Sequence, residues 1–217
     1  MNFFGLADCN NFYCSCERVF HPDLRYKPVI VLSNNDGCVV ARSEESKKLG
    51  IKMGVPFYQI RELVEKNNVA VFSSNYNLYG DMSRRVMSLL SSFFPKINIY
   101  SIDEAFIDLS EIEDIGCLVG ISHKAVKSIN KGVGIPVSLG IAPTKTMAKM
   151  ASVFAKKHKG YNGVCIIDTD EKREKALKLF FFVKKFVVIR AVFTGESRTC
   201  FSGRSEEHTS ELQSPGS

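Results

Sequence analysis

The sequence predicts an α+β chain: a split β-α-β, ferredoxin-like sheet with a small α/β unit inserted after its first strand. Three observations predict it. With residues 9–73 set aside, the periodic segments run strand, helix, strand, strand, helix, strand, followed by a further helix and a last strand. The omitted stretch carries its own strands and helices. The 217 residues, 45% of them hydrophobic, suffice for one core with a sizeable insertion.

In chain order, "FFGLAD" (3–8) is an apolar run ending in an acid and reads as a buried strand with Asp8 at its end. "NFYCSCERVF" reads as a short helix before Pro22. "KPVIVLS" is a β-branched strand, "NNDG" (34–37) a turn and "CVVA" (38–41) the return strand. "RSEESKKLG" is a helix closed by Gly50, with another helix at 57–66 and a strand at 69–73. Residues 77–94 carry apolar side chains at 78, 82, 86, 89, 90 and 93, a helical spacing that Pro95 ends. "INIYSID" and "EAFIDLS" alternate like a tight hairpin with an acidic pair at the join. A helix at 117–131, a strand at 136–142, a helix at 144–158 and a strand at 163–168 complete the order. Such a sheet brings Asp8 to face Asp103 and Glu104.

Composition narrows the function. Seven cysteines without a CxxC pair read as reduced thiols of a cytoplasmic protein, and Cys14 and Cys16 are too close for ordinary zinc spacing. "MNFFGLADCNNFY" has neither a basic start nor a long apolar stretch, so no signal peptide, membrane span or membrane partner is expected. A net charge of +6 permits a polyanionic partner, and the four scattered histidines form no metal motif. Residues 180–217 differ in character. "FFFVKKFVVIRAVF" is apolar and basic without periodicity, and "RSEEHTSELQSPGS" (204–217) is polar and expected to be disordered. That last segment resembles the translation of a sequencing-adapter oligonucleotide and is set aside from fold reasoning.

Three patterns carry chemistry. Asp103 and Glu104 interrupt the strand-like "YSIDEAFIDL" (100–109). An isolated pair of this kind is an ordinary solvated turn. Apolar flanks and a third acid, Asp8, at another strand end favour a functional reading, because converging carboxylates need a cation between them. Hard divalent ions with oxygen ligands meet that need, and two of them roughly 3.5–4 Å apart support phosphoryl transfer. "GIAPTKTMAKMASVFAKKHKG" (140–160) places Lys145, Lys149 and Lys156 on one helical face, with Met147, Met150, Ala151 and Phe154 opposite. The lysines read equally as a solvated face or as phosphate holders. Phe12 and Tyr13, just after Asp8, read as core packing or as a flat wall that excludes a sugar 2′-hydroxyl.

"ADCNNFYCSCE", "KPVIVLSNNDGCVVARSEESKKLGIKMG", "FSSNYNLYGDMSRRVMSLL", "IYSIDEAFIDL" and "GIAPTKTMAKMASVFAKK" together resemble the Y-family translesion DNA polymerases, and "SNNDGCVVAR" is most similar to their UmuC branch. The resemblance runs from about residue 3 to residue 179 with five motifs in the family's order. It implies a polymerase palm at 1–10 and 75–167, an inserted fingers domain at 11–74 and the start of a thumb linker at 168–179. The thumb and little finger that follow in the family are absent or garbled: no tryptophan supplies the expected "WGIG"-type segment, as a frameshift near Phe180 would explain.

The resemblance further implies template-directed DNA synthesis across lesions, as in SOS-type damage tolerance, with two Mg²⁺ ions on Asp8, Asp103, Glu104 and the Cys9 carbonyl. Tyr13 matches the steric gate and Phe12 its neighbour. Lys47 and Lys156 match triphosphate-binding positions, with Arg42 a weaker match, and Lys145 and Lys149 are candidates for DNA phosphate contact. Glu44 stands where some relatives carry a triphosphate-contacting tyrosine. Implied partners are primer-template DNA, deoxynucleoside triphosphates, a UmuD-type subunit, a recombinase filament and a sliding clamp. Two other readings compete: an inactive fragment that serves as a non-catalytic nucleic-acid-binding module, and a palm-fold nucleotide cyclase. The insertion and "SNNDG" speak against the cyclase.

Overall fold

The computed structural model describes residues 3–112 and 114–178, and the expectations for 180–217 lie outside them. Strand β1 (Phe4–Cys9) leads into helix α1 (Phe12–Phe20). The inserted unit follows: β2 (Val29–Leu32), β3 (Val39–Arg42), α2 (Glu44–Lys48), α3 (Phe57–Lys66) and β4 (Ala70–Ser73). The chain then forms α4 (Tyr76–Phe93), β5 (Ile97–Ile99), β6 (Glu104–Asp108), α5 (Ile115–Val133), β7 (Val137–Ala142), α6 (Lys145–Lys157) and β8 (Val164–Ile166). A helical stretch, α7, occupies residues 170–178.

The strands make two sheets, ordered β5-β6-β1-β7-β8 and β3-β2-β4. In the larger, β1 runs antiparallel to both β6 and β7, which is the split β-α-β arrangement, and β8 adds in parallel beside β7. Helices cover both faces, so β7 is buried along its whole length and β1 along most of it, whereas β6 alternates. Ala7 and Cys9 face α4 and α5 through Met82, Val86, Leu90, Leu118 and Ile129. Leu6, one position off, faces α6 through Ala148, Met150 and Ala151. Gly140 on β7 makes the α6 contact possible. A Cβ there would sit 2.1 Å from the Ser152 backbone nitrogen and 2.2 Å from the Ala148 carbonyl oxygen, well inside contact distance.

The smaller sheet is explained the same way. β2 reads "VIVL" without alternation because Val29 and Val31 join the main core while Ile30 and Leu32 pack against Ile60 and Val64 of α3. The "NNDG" segment is the expected turn. Asp36 takes φ 52°, and the Asn35 side-chain oxygen accepts hydrogen bonds from the Ser33 hydroxyl and the Gly37 N–H.

Three expectations are refined. Helix α5 is two residues longer at each end than 117–131, because the Asp114 side chain caps the Gly116 N–H and Gly134 closes the helix at φ 80°. The β5–β6 hairpin has Asp103 in its connection, whereas Glu104 is already the first residue of β6. Residues 170–178, expected to begin a linker, are helical: Thr169 caps the Lys172 N–H with its hydroxyl, and Asp170 and Glu171 follow in the first turn. The six cysteines among the described residues are all unpaired, and no described helix is long and apolar enough to cross a membrane.

Candidate active site

The register of the large sheet assembles the acids. Asp8 lies directly opposite Glu104 on β6, and the Cys9 N–H donates to the Asp103 carbonyl at 2.9 Å. Asp8 is therefore a neighbour of the distant pair Asp103 and Glu104 through backbone hydrogen bonds alone. Ser101, a residue the sequence reading passed over, shapes the hairpin. Its hydroxyl donates to the Asp103 carboxylate at 2.7 Å and accepts from the N–H groups of Asp103 and Glu104 at 3.3 and 3.0 Å.

Among the described residues no three His, Cys, Asp or Glu side chains gather closely enough to hold a metal ion. Lysines from α6 neutralise two of the acids. The Lys156 ammonium donates to Asp8 at 3.0 Å and that of Lys149 to Glu104 at 3.1 Å. Lys149 also stands 5.1 Å over the Tyr100 ring. Lys145 lies over Phe4 and Phe106, 5.8 and 5.4 Å from their centroids, so its charge rests on aromatic faces.

The donor set nevertheless has the chemistry of a hard-cation site. Burial, then the charges of Asp103 and Asp8, push the Cys9 thiol well above its usual pKa, so it offers no thiolate. What remains is carboxylate and carbonyl oxygen, the ligand type that Mg²⁺ takes and zinc sites rarely use alone.

Beside the acids opens a cleft of about 440 Å³ whose lining includes Asp8, Asp103, Tyr13, Arg42, Lys47 and Lys156. Three cations thus meet two of the acids across one space. Arg42 donates to the Ile51 carbonyl, which fixes its guanidinium at the wall. The Lys47 ammonium donates to the side-chain oxygen of Asn11 and to Glu44, each at 2.6 Å, and the Asn11 amide donates to the same Glu44 oxygen at 3.2 Å. Asn11 adopts the left-handed conformation, φ 49°, which turns the chain from β1 into α1.

The two aromatics divide between their readings. Phe12 is only 4% exposed and belongs to the core while touching the cleft. Tyr13 is half-buried and stacks on Tyr79, with centroids 4.2 Å apart and planes at 13°. Burial, then neighbouring Tyr76 and Asp103, raise the pKa of its phenol, so Tyr13 presents a neutral face. Sequence reasoning missed Asn11, Ser101 and Tyr79. All three sit inside quoted motifs; for Asn11 in "CNN" and Ser101 in "YSIDE" the turn-forming side chains were the available signal.

Residues 7–153 match the impB/mucB/samB family. The chain is 50% identical over 176 residues to the protein ImpB of Salmonella typhimurium, an alignment covering 81% of this chain and 41% of that protein. It is 45% identical over 177 residues to the protein UmuC of Salmonella typhimurium strain LT2, covering 81% and 42%. The chain thus spans about two fifths of the length of these curated relatives. Among solved structures it superposes on a DinB family error-prone DNA polymerase from Sulfolobus solfataricus with a TM-score of 0.67 and 26% identity, over 78% of this chain and 48% of that one.

Proposed function

Because this chain belongs to the impB/mucB/samB family, the UmuC branch of the Y-family DNA polymerases, we propose that it supplies the palm and fingers of a template-directed translesion DNA polymerase. The five-stranded sheet with α4, α5 and α6 is the palm, and the smaller sheet with α2 and α3 is the fingers. The observation that carries this reading is the pairing of Asp8 with Glu104 beside a cleft that Lys47 and Lys156 line.

Asp8, Asp103 and Glu104, with the Cys9 carbonyl, would hold two magnesium ions. Such ions, when bound, supply Lewis acidity that activates a primer 3′-hydroxyl and offsets the charge of departing pyrophosphate. The chain's own residues bind and orient the nucleotide. Lys47, Lys156 and Arg42 present charge to the triphosphate of a deoxynucleotide, and positioning of this kind supplies much of the rate in phosphoryl transfer. Lys156, now paired with Asp8 at the edge of the cleft, would be free to turn to the triphosphate once a cation held that acid. Tyr13 forms the flat wall that meets the sugar and excludes a 2′-hydroxyl, with Phe12 packed behind it. Glu104 faces the primer end, and Lys145 and Lys149 lie on the side where primer-template phosphates pass. A UmuD-type subunit, a recombinase filament and a sliding clamp are further partners of the whole enzyme.

Nucleotide binding by the 217-residue chain tests the reading. Equilibrium dialysis with dATP and Mg²⁺ should show that Lys47→Ala weakens binding. Glu44→Gln should strengthen it about two- to fivefold, because it removes a carboxylate that competes for Lys47 at an exposed pair. An absence of Mg²⁺-dependent binding, or weaker binding by Glu44→Gln, would count against it.

A further inference from the structure

Glu17 is a carboxylate with no part in the chemistry above, yet it is 6% exposed in the middle of α1. Burying an acid is costly unless it is hydrogen-bonded. The Tyr79 hydroxyl donates to it at 2.7 Å, and Tyr79, on α4, is itself 0% exposed. Burial, then this hydrogen bond, hold the Tyr79 phenol far above its usual pKa, so it stays a donor.

Helix α1 places Tyr13 one turn before Glu17, and residues four apart share a helix face. The two therefore grip Tyr79 at two points. Tyr13 lies flat against its ring at 4.2 Å, and Glu17 holds its far end. Tyr76 closes the group edge-on, 6.2 Å from both rings and at 85° and 84° to them. The Tyr79 hydroxyl lies on the long axis of its ring, so the bond to Glu17 fixes the direction of that axis, while the stack with Tyr13 and the edge contact with Tyr76 set the rotation of the ring about it.

We propose that Glu17 is a positioning residue for sugar selection: it anchors the Tyr79 ring, and through that ring it sets how far Tyr13 reaches into the cleft. This rests on Tyr13 being the wall that meets the nucleotide sugar. Glu17 touches neither nucleotide nor acid, and it acts only through the stack.

Removing one partner strands the other as a buried unpaired group, whereas replacing both with apolar groups is close to neutral. The decisive variant is therefore the double substitution Glu17→Leu with Tyr79→Phe, compared with Glu17→Gln, which keeps an acceptor. Two readouts on the 217-residue chain are needed. One is the NMR position of the Tyr13 ring resonances, which face-to-face stacking on Tyr79 shifts and which needs no nucleotide. The other is the ratio of dATP to ATP dissociation constants in Mg²⁺. The double variant should melt near the wild type. Its Tyr13 resonances should move toward unstacked values, and its preference for dATP should fall by at least about threefold, toward that of Tyr13→Ala. Glu17→Gln should retain both wild-type properties. A folded double variant with unchanged ring resonances and unchanged preference overturns the role of Glu17. If Tyr13→Ala leaves the preference intact, the sugar-wall reading falls instead.

Discussion

Asp103→Ala is expected to lower primer extension by about 10³-fold or more in a full-length enzyme carrying these residues, with little change in stability. The size follows from what is lost. A carboxylate that would hold the cations offsetting the developing negative charge is expected to matter at least as much as a single preorganised oxyanion donor, about 10²–10³-fold. The fold should survive because the structural link at this position is the backbone. The Asp103 carbonyl accepts from the Cys9 N–H, and alanine keeps that bond. The side chain contributes one hydrogen bond from Ser101 in a partly exposed loop, worth about 1 kcal/mol. Primer extension and thermal melting, measured on the same preparation, separate the two effects. Ordinary extension by the variant would remove Asp103 from the chemistry.

Gly140→Val should produce the largest loss of stability. The added Cβ alone would lie 2.1 Å from Ser152 N and 2.7 Å from Ala151 C, all backbone, so no side chain can turn aside to make room. Helix α6 must lift from β7 as a unit. Overpacking in a core costs about 1–3 kcal/mol where side chains can adjust, and a loss at or beyond the upper end is expected here. The same shift would carry Lys149 and Lys156 away from Glu104 and Asp8, so nucleotide binding should fall with stability. Gly120→Ala provides the control. Gly120 lies in α5 with nothing within 4 Å of an added Cβ, and alanine there should stabilise by about 0.5–1 kcal/mol. Urea unfolding of both variants checks the pair, and a Gly140→Val midpoint close to the wild type would show that α6 does not rest on β7 as described.

Much of the architecture was legible because it depends on order and periodicity. The run of strands and helices implies β1 between β6 and β7, and that alone places Asp8 against the hairpin holding Asp103 and Glu104. Helix α3 begins and ends where its apolar spacing starts and stops. Helix α7 was legible in principle, with Thr169 followed by two acids, but its charged sequence carries a weak apolar stripe and read as a linker.

Other features depend on contacts between distant residues. The spacing of Lys145, Lys149 and Lys156 shows a shared face. It does not show that Lys145 meets aromatic rings while the other two meet the acids. Tyr13 and Tyr79 are 66 residues apart, and neither position signals the stack. Glu17 looks like a polar residue on a surface helix until α4 covers it.

The central proposal is that Asp8 and Glu104 would exchange their lysine partners, and Asp103 its bond from the Ser101 hydroxyl, for divalent cations when a nucleotide enters. Anomalous diffraction from crystals grown with Mn²⁺ and a non-hydrolysable dATP analogue tests it most directly. The account predicts two manganese peaks at these carboxylates, with the Lys156 ammonium turned from Asp8 to the triphosphate. A nucleotide bound with no manganese at the acids, and the Asp8–Lys156 pair intact, would contradict it.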